Sequence, residues 1–307
     1  LGETTLSEIL LMQLAVFETA SLRLVYATYG TLNAAGDNCV LLPTYYAGTH
    51  ESYAKMIGPG RALDPEKKFI VIPNMLGNGI SSSPSNTPDF VDKPVAANVR
   101  LQYKLLKSLG VKRIELVYGW SMGAMQGYAW AAMYPDMVGA LLAVCGAAKC
   151  WPLNQVFLEG VATALKNAAT PDAGKRAFGR AYAGWAYSAA FYRHALYRDM
   201  GFRTAEEFLN FWEDDHAAWD ADDLLAMLWT WQNAETDLSR IQARTIVMPA
   251  DSDMYFTLEE ARIEAAMIHD AELRVLYSPY GHCAGAPGRF PAETVVVERA
   301  IRDLLGD

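Results

Sequence analysis

The chain has 307 residues, and 52% of them are hydrophobic, enough to bury one large α/β core or two small ones. Its net charge of −9, with no basic cluster or arm, argues against a nucleic-acid or anionic-membrane partner. No apolar run approaches the roughly 20 residues of a membrane span, so no membrane partner is expected.

In chain order, the first apolar stretch is "ILLMQLAVF", flanked by Glu8 and Glu18. It is too short and too acidic at its ends to read as a signal peptide. The chain opens at Leu1 rather than Met, so a true start upstream is expected. Seven runs then read as strands: "LRLVYATYG", "CVLLPT", "KKFIVIPN", "RIELVYG", "GALLAVCG", "RTIVMPA" and "ELRVLYS". Several are nearly continuous rather than alternating, the pattern of strands buried on both faces of a mostly parallel sheet. Helical patterns lie between the later ones. "PVAANVRLQYKLLKSLG" opens with Pro and closes with Gly110, and "LEEARIEAAMI" and "AETVVVERAIRDLL" are amphipathic. The loop "NGISSSPSNTPDFVDKP" reads as polar and exposed.

From Trp151 to Arg240 no convincing strand occurs. Trp185, Tyr187, Phe191, Tyr192, Phe208, Phe211, Trp212, Trp219, Trp229 and Trp231 instead mark helical patterns. Most of these rings should pack a small core of their own, with a few left to line a pocket facing the sheet. The expected organisation is therefore an α/β core of residues 1–150 and 241–307, with a helical lid over 151–240.

Cys39, Cys145, Cys150 and Cys283 show no paired spacing, and the five histidines show no ligand spacing. We expect free buried thiols, a reducing cytoplasm, no metal and no cofactor.

The chemistry centres on "RIELVYGWSMGAMQGYAWAAMY". Ser121 stands between Gly119 and Gly123 where a buried strand turns into a helix. G-x-S-x-G in that context is a nucleophile elbow: the turn is strained, and side chains two residues either side would collide with neighbouring backbone. The helix start also favours negative charge forming beside the serine.

A serine hydroxyl needs a base, and the base an orienting carboxylate. Asp251 and Asp253 follow the strand "RTIVMPA", and His282 follows "ELRVLYS" in a Gly-flanked loop. Asp253 is preferred because a short turn past the strand is needed to reach the histidine; Asp251 braces that turn. His50, His194, His216 and His269 are alternatives, with His194 and His216 expected in surface or packing roles. The backbone N–H groups of Met122 and Tyr46 are the expected oxyanion donors.

Together "YATYGTLN", "MIGPGRALD", "FIVIPNMLGNGISSS", "GWSMGAMQGYAWAAMYPDMV", "SDMYF" and "GHCAG" resemble the homoserine O-acetyltransferase family of the α/β-hydrolase superfamily. The resemblance covers most of the chain outside the insertion. It implies an α/β-hydrolase fold, a Ser121–His282–Asp253 triad, an acyl-enzyme, a lid that forms a tunnel to the serine, and a homodimer built through the lid. It also implies that Arg180 and Tyr187 bind an amino-acid acceptor. Seven residues apart, they would lie within roughly 20° on one helix face. Two positions depart from the family: Thr44 replaces a histidine, and Cys283 stands where an acidic residue would hold the acceptor's ammonium.

The expected function is thus hydrolysis of a small-molecule acyl ester or thioester. The runner-up is a homoserine O-acetyltransferase, with acetyl-CoA as co-substrate. A rival of another class is a non-catalytic binding protein of the same fold. A dinucleotide site is weaker still: "GNG" at Gly77–Gly79 lacks a third glycine and a following helix.

Overall fold

The computed structural model describes residues 11–306. Leu1 and Glu8, used in reading the N-terminal stretch, lie outside the described residues. Eight strands form one sheet: β1 (Gln13–Glu18), β2 (Arg23–Tyr29), β3 (Cys39–Leu41), β4 (Phe69–Pro73), β5 (Ile114–Trp120), β6 (Ala140–Val144), β7 (Arg244–Met248) and β8 (Ala271–Leu273). Their order is β1-β2-β4-β3-β5-β6-β7-β8. β1 and β2 pair antiparallel, as do β2 and β4; every pair beyond is parallel.

The continuous apolar runs are explained by the two faces they bury. Cys39, Leu41, Val117 and Leu141 point into one core layer, and Val40, Leu116, Tyr118 and Leu142 into the other. Helices α1 (Val95–Ser108) and α2 (Met122–Met133) pack into the first layer, as does the insertion described below. The C-terminal helix and the short helical turn His50–Met56 close the second, through Val297, Ala300, Ile301, Tyr53 and Met56. Fully burying an aliphatic side chain contributes roughly 1.5–3 kcal/mol, so a sheet covered on both faces stabilises itself from two layers.

Two sequence expectations need correction. β1 is an eighth strand, half-exposed at the sheet edge, where Gln13–Glu18 pairs with Arg23–Thr28. The Ser-rich loop is not exposed throughout: Asn78, Ser81, Ser82 and Ser83 are buried. Their hydroxyls substitute for a missing ladder. Ser81 Oγ accepts from the Val25 amide (3.0 Å) and donates to the Asn74 carbonyl (2.8 Å), and Ser82 Oγ accepts from the Arg23 amide (3.0 Å). Satisfied backbone is what allows a polar segment to be buried.

Between β6 and β7 the described chain is helical: α3 (Pro152–Lys166), α4 (Pro171–Ala186), α5 (Ala189–Arg193), α6 (Ala205–Ala217) and α7 (Ala221–Gln232). The sequence caps most of them. Thr170, Ser188, Thr204 and Asp220 each accept from amides in the first turn of the helix that follows. Rings of Phe157, Phe178, Tyr182, Phe208 and Trp212 interlock between these helices, within 4.6–6.4 Å of neighbouring rings. Beyond β7 come α8 (Leu258–Ala265) and α9 (Pro291–Leu305).

Candidate active site

Ser121 caps α2 with φ 57 and ψ −126, a conformation costing a non-glycine residue on the order of 1–3 kcal/mol. The flanking glycines are what permit it. A Cβ on Gly119 would lie 2.2 Å from the Gly123 backbone, and one on Gly123 would lie 2.5 Å from the Pro43 carbonyl oxygen. The turn therefore packs against its own helix on one side and the end of β3 on the other.

Ser121 Oγ lies 3.0 Å from His282 Nε2, and His282 Nδ1 lies 2.8 Å from Asp253 Oδ2. The three side chains come from the ends of β5, β7 and β8 and are all buried. Asp253 is oriented by its other oxygen, which accepts from the Tyr255 amide (2.7 Å) and the Phe256 amide (3.2 Å). The His282 ring is clamped by Trp120 (ring centres 4.8 Å apart), Tyr255 (4.6 Å) and Phe256 (5.5 Å). Trp120 Nε1 also donates to the His282 carbonyl (3.2 Å). Asp251 points elsewhere: its Oδ1 accepts from the Ser278 amide (3.0 Å), tying the two loops together.

The Met122 and Tyr46 amides donate to no protein acceptor among the described residues. Thr44 is fully buried; its hydroxyl accepts from the Met75 amide (2.8 Å) and holds the ends of β3 and β4 together. Of the other histidines, His194 and His269 are exposed, and His50 is buried beside Asn74.

His216 packs among aromatic rings and also reaches the cavity. It is buried and lines the same cavity as Ser121, with its ring within 6.5 Å of Tyr46, Phe178, Tyr182 and Trp212. Nδ1 sits 3.0 Å from the Trp212 carbonyl, which fixes it as the donor nitrogen. Burial lowers its pKa, partly opposed by Asp215, so the ring is neutral at neutral pH.

The cavity holds about 380 Å³. Ser121 and His282 form its floor, Tyr45, Tyr46, Trp120 and Cys283 its walls, and Tyr182, Ala186, Trp212 and His216 from α4 and α6 its roof. Four charged residues also reach it: Glu51, Lys55, Asp215 and Arg289. Among the described residues no cluster of His, Cys, Asp or Glu could hold a metal ion, and no helix is long and apolar enough to cross a membrane.

Arg180 and Tyr187 do not converge as the helical spacing suggested. α4 ends at Ala186, and Tyr187 is already extended (φ −120, ψ 154). Arg180 is not on the cavity wall. It binds Glu206 (2.6 Å) and Glu213 of α6, so it pins two helices together. Tyr187 is buried, and its hydroxyl accepts from Arg289 Nη1 (3.2 Å). Arg289 is the residue that sequence reasoning missed. It reaches the cavity from the His282 loop, and its Nη1 also lies 3.6 Å from Cys283 Sγ. Burial pushes the Cys283 thiol up, only partly offset by Arg289, so the thiol stays protonated.

The alpha/beta hydrolase fold family model matches residues 40–286. The chain is 34% identical over 289 residues to an ethyl acetate hydrolase of Pseudomonas veronii, covering 84% of this chain and 83% of the relative. A homoserine O-acetyltransferase of Chlorobaculum tepidum is 28% identical over 332 residues, covering 94% and 92%. The crystal structure of an acetylester hydrolase from Corynebacterium glutamicum superimposes with a TM-score of 0.88 at 30% identity, over 93% of this chain and 90% of that one. The chain belongs to the α/β-hydrolase family, within the group that joins acetyl ester hydrolases to homoserine O-acetyltransferases.

Proposed function

We propose that the chain is a carboxylic ester hydrolase of small acyl esters. The reading is carried by the unbroken Asp253–His282–Ser121 hydrogen-bond relay at the floor of the cavity. Ser121 Oγ attacks the ester carbonyl carbon while His282 Nε2 takes its proton. The oxyanion sits between the Met122 and Tyr46 amides. The C–O bond to the alcohol breaks as His282 returns the proton to the leaving oxygen, which leaves an acyl-enzyme. Water then gives a proton to His282 and attacks the acyl carbon, and Ser121 departs with that proton. Asp253 holds the imidazole tautomer and stabilises the imidazolium. The helices over 151–240 act as the lid that excludes bulk water. These steps need no cofactor.

Water is favoured over homoserine as acceptor by two features. Cys283 is uncharged where an ammonium would need a carboxylate, and the cation nearest to it is Arg289. The ethyl acetate hydrolase and acetylester hydrolase relatives support the same reading. The test is labelling with a fluorophosphonate together with hydrolysis of short acetate esters. Ser121→Ala is expected to lose both. Labelling that persists on another residue, or acetyl transfer from acetyl-CoA to homoserine outpacing hydrolysis at millimolar acceptor, would reject it.

A further inference from the structure

Arg289 stands on the wall of the cavity without an acidic partner. Arg61, Arg176, Arg180 and Arg274 each bind a carboxylate. Among the described residues no carboxylate lies within 4.0 Å of Arg289. The two acids that share its cavity do not reach it, and Asp215 faces His216 at 3.3 Å. Its contacts are neutral: the Tyr187 hydroxyl at 3.2 Å and the Cys283 sulfur at 3.6 Å. The side chain is solvent-exposed where it lines the cavity, so it meets an incoming ligand from the solvent side.

Both contacts use Nη1. The guanidinium has five N–H donors in a planar fork, so the others are left for whatever enters the cavity. A cation lining the cavity with no carboxylate partner and with donors to spare favours an incoming anion, and a carboxylate matches the fork in two parallel hydrogen bonds. The position of Arg289 assigns that anion to one part of the ester. The acyl oxygen is directed to the Met122 and Tyr46 amides, whereas the leaving oxygen must lie near His282 Nε2. Arg289 enters from the His282 loop and touches Cys283, the residue after His282. A group held there is attached to the leaving oxygen.

We propose that Arg289 is an anion anchor of this site, and that the favoured ester carries a carboxylate on its alcohol portion. The proposal rests on the ester-hydrolase reading above. The experiment compares kcat/KM for 4-acetoxybutanoate and pentyl acetate, a charged and a neutral ester of similar shape, in the natural protein and in Arg289→Gln. The natural protein is expected to prefer the anionic ester. Arg289→Gln should cut that preference roughly 3- to 10-fold, mainly through KM, as expected for a bidentate pair that solvent still screens. Arg289→Lys should restore part of it, since it keeps the charge and loses the fork. The ratio is insensitive to the fraction of folded enzyme, so a structural effect that lowers both rates alike leaves it unchanged and overturns the proposal. Cleavage of pentyl acetate with no preference for the anion overturns the anchor alone. Cleavage of neither ester, with no fluorophosphonate label on Ser121, overturns the hydrolase reading and the anchor with it.

Discussion

Replacing Glu264 by glutamine should change how stability depends on pH. Glu264 lies buried in α8, where one oxygen accepts from the Ala148 amide (2.9 Å) and the other from Trp151 Nε1 (2.8 Å). It thereby fastens the segment leading into the helical insertion to the core. Burial pushes its carboxyl from 4.5 up to about 7, although both hydrogen bonds and Lys149 oppose the shift. Between those two values the folded protein holds a proton that the unfolded chain has released. The unfolded state binds fewer protons, so stability falls as pH rises through this window and is fully restored only below it. At roughly 1.4 kcal/mol per pH unit, the loss by pH 8 is on the order of 3 kcal/mol. Glutamine cannot ionise and escapes this loss. It does turn an amide NH2 toward one of the two donors, which costs about 1 kcal/mol. The two proteins should therefore lie within about 1 kcal/mol of each other at pH 5, and Glu264→Gln should be the more stable by roughly 2 kcal/mol at pH 8. Urea unfolding followed by tryptophan fluorescence at several pH values measures the difference. His216 titrates in the opposite sense, because its folded pKa is lowered, but it is common to both proteins and cancels. A stability difference that stays constant from pH 5 to 8 would refute the reasoning.

Two further outcomes follow from the site. Asp253→Asn should lower kcat by about 10⁴, because the relay to His282 fixes its tautomer, whereas Asp251→Asn should mainly lower the unfolding midpoint by loosening the Ser278 loop. Steady-state kinetics and thermal unfolding of both variants separate the two roles, and the reverse pattern would exchange them. Cys283→Asp places a carboxylate next to Arg289, which pairs with it before any ammonium can. Homoserine should therefore remain a poor acceptor in this variant, and a large rise in O-acetylhomoserine detected by mass would show that Arg289 does not control the position.

Much of this protein could be read from local sequence. The strands came from their continuous apolar runs, and Gly119, Ser121 and Gly123 marked the elbow because a tight strand-to-helix turn dictates its own residues. Asp253 and His282 lie in line with Ser121 because loops at the ends of strands deliver side chains to one edge of a parallel sheet. β1 was missed because a half-exposed edge strand lacks the continuous apolar run of the buried strands, and the Ser-rich loop looked exposed because its backbone partners at Arg23 and Val25 lie more than fifty residues away. The arginines show the limit most clearly. Nothing in "GRAYAGWAY" reveals that Glu206 and Glu213 hold Arg180 outside the cavity, and nothing in "APGRF" reveals that Arg289 enters it. Local pattern determines backbone conformation, because that is set by neighbours in the chain. Whether a charged side chain is neutralised, solvated or free to meet a ligand depends on groups brought near it only by folding, and that the tertiary structure alone decided.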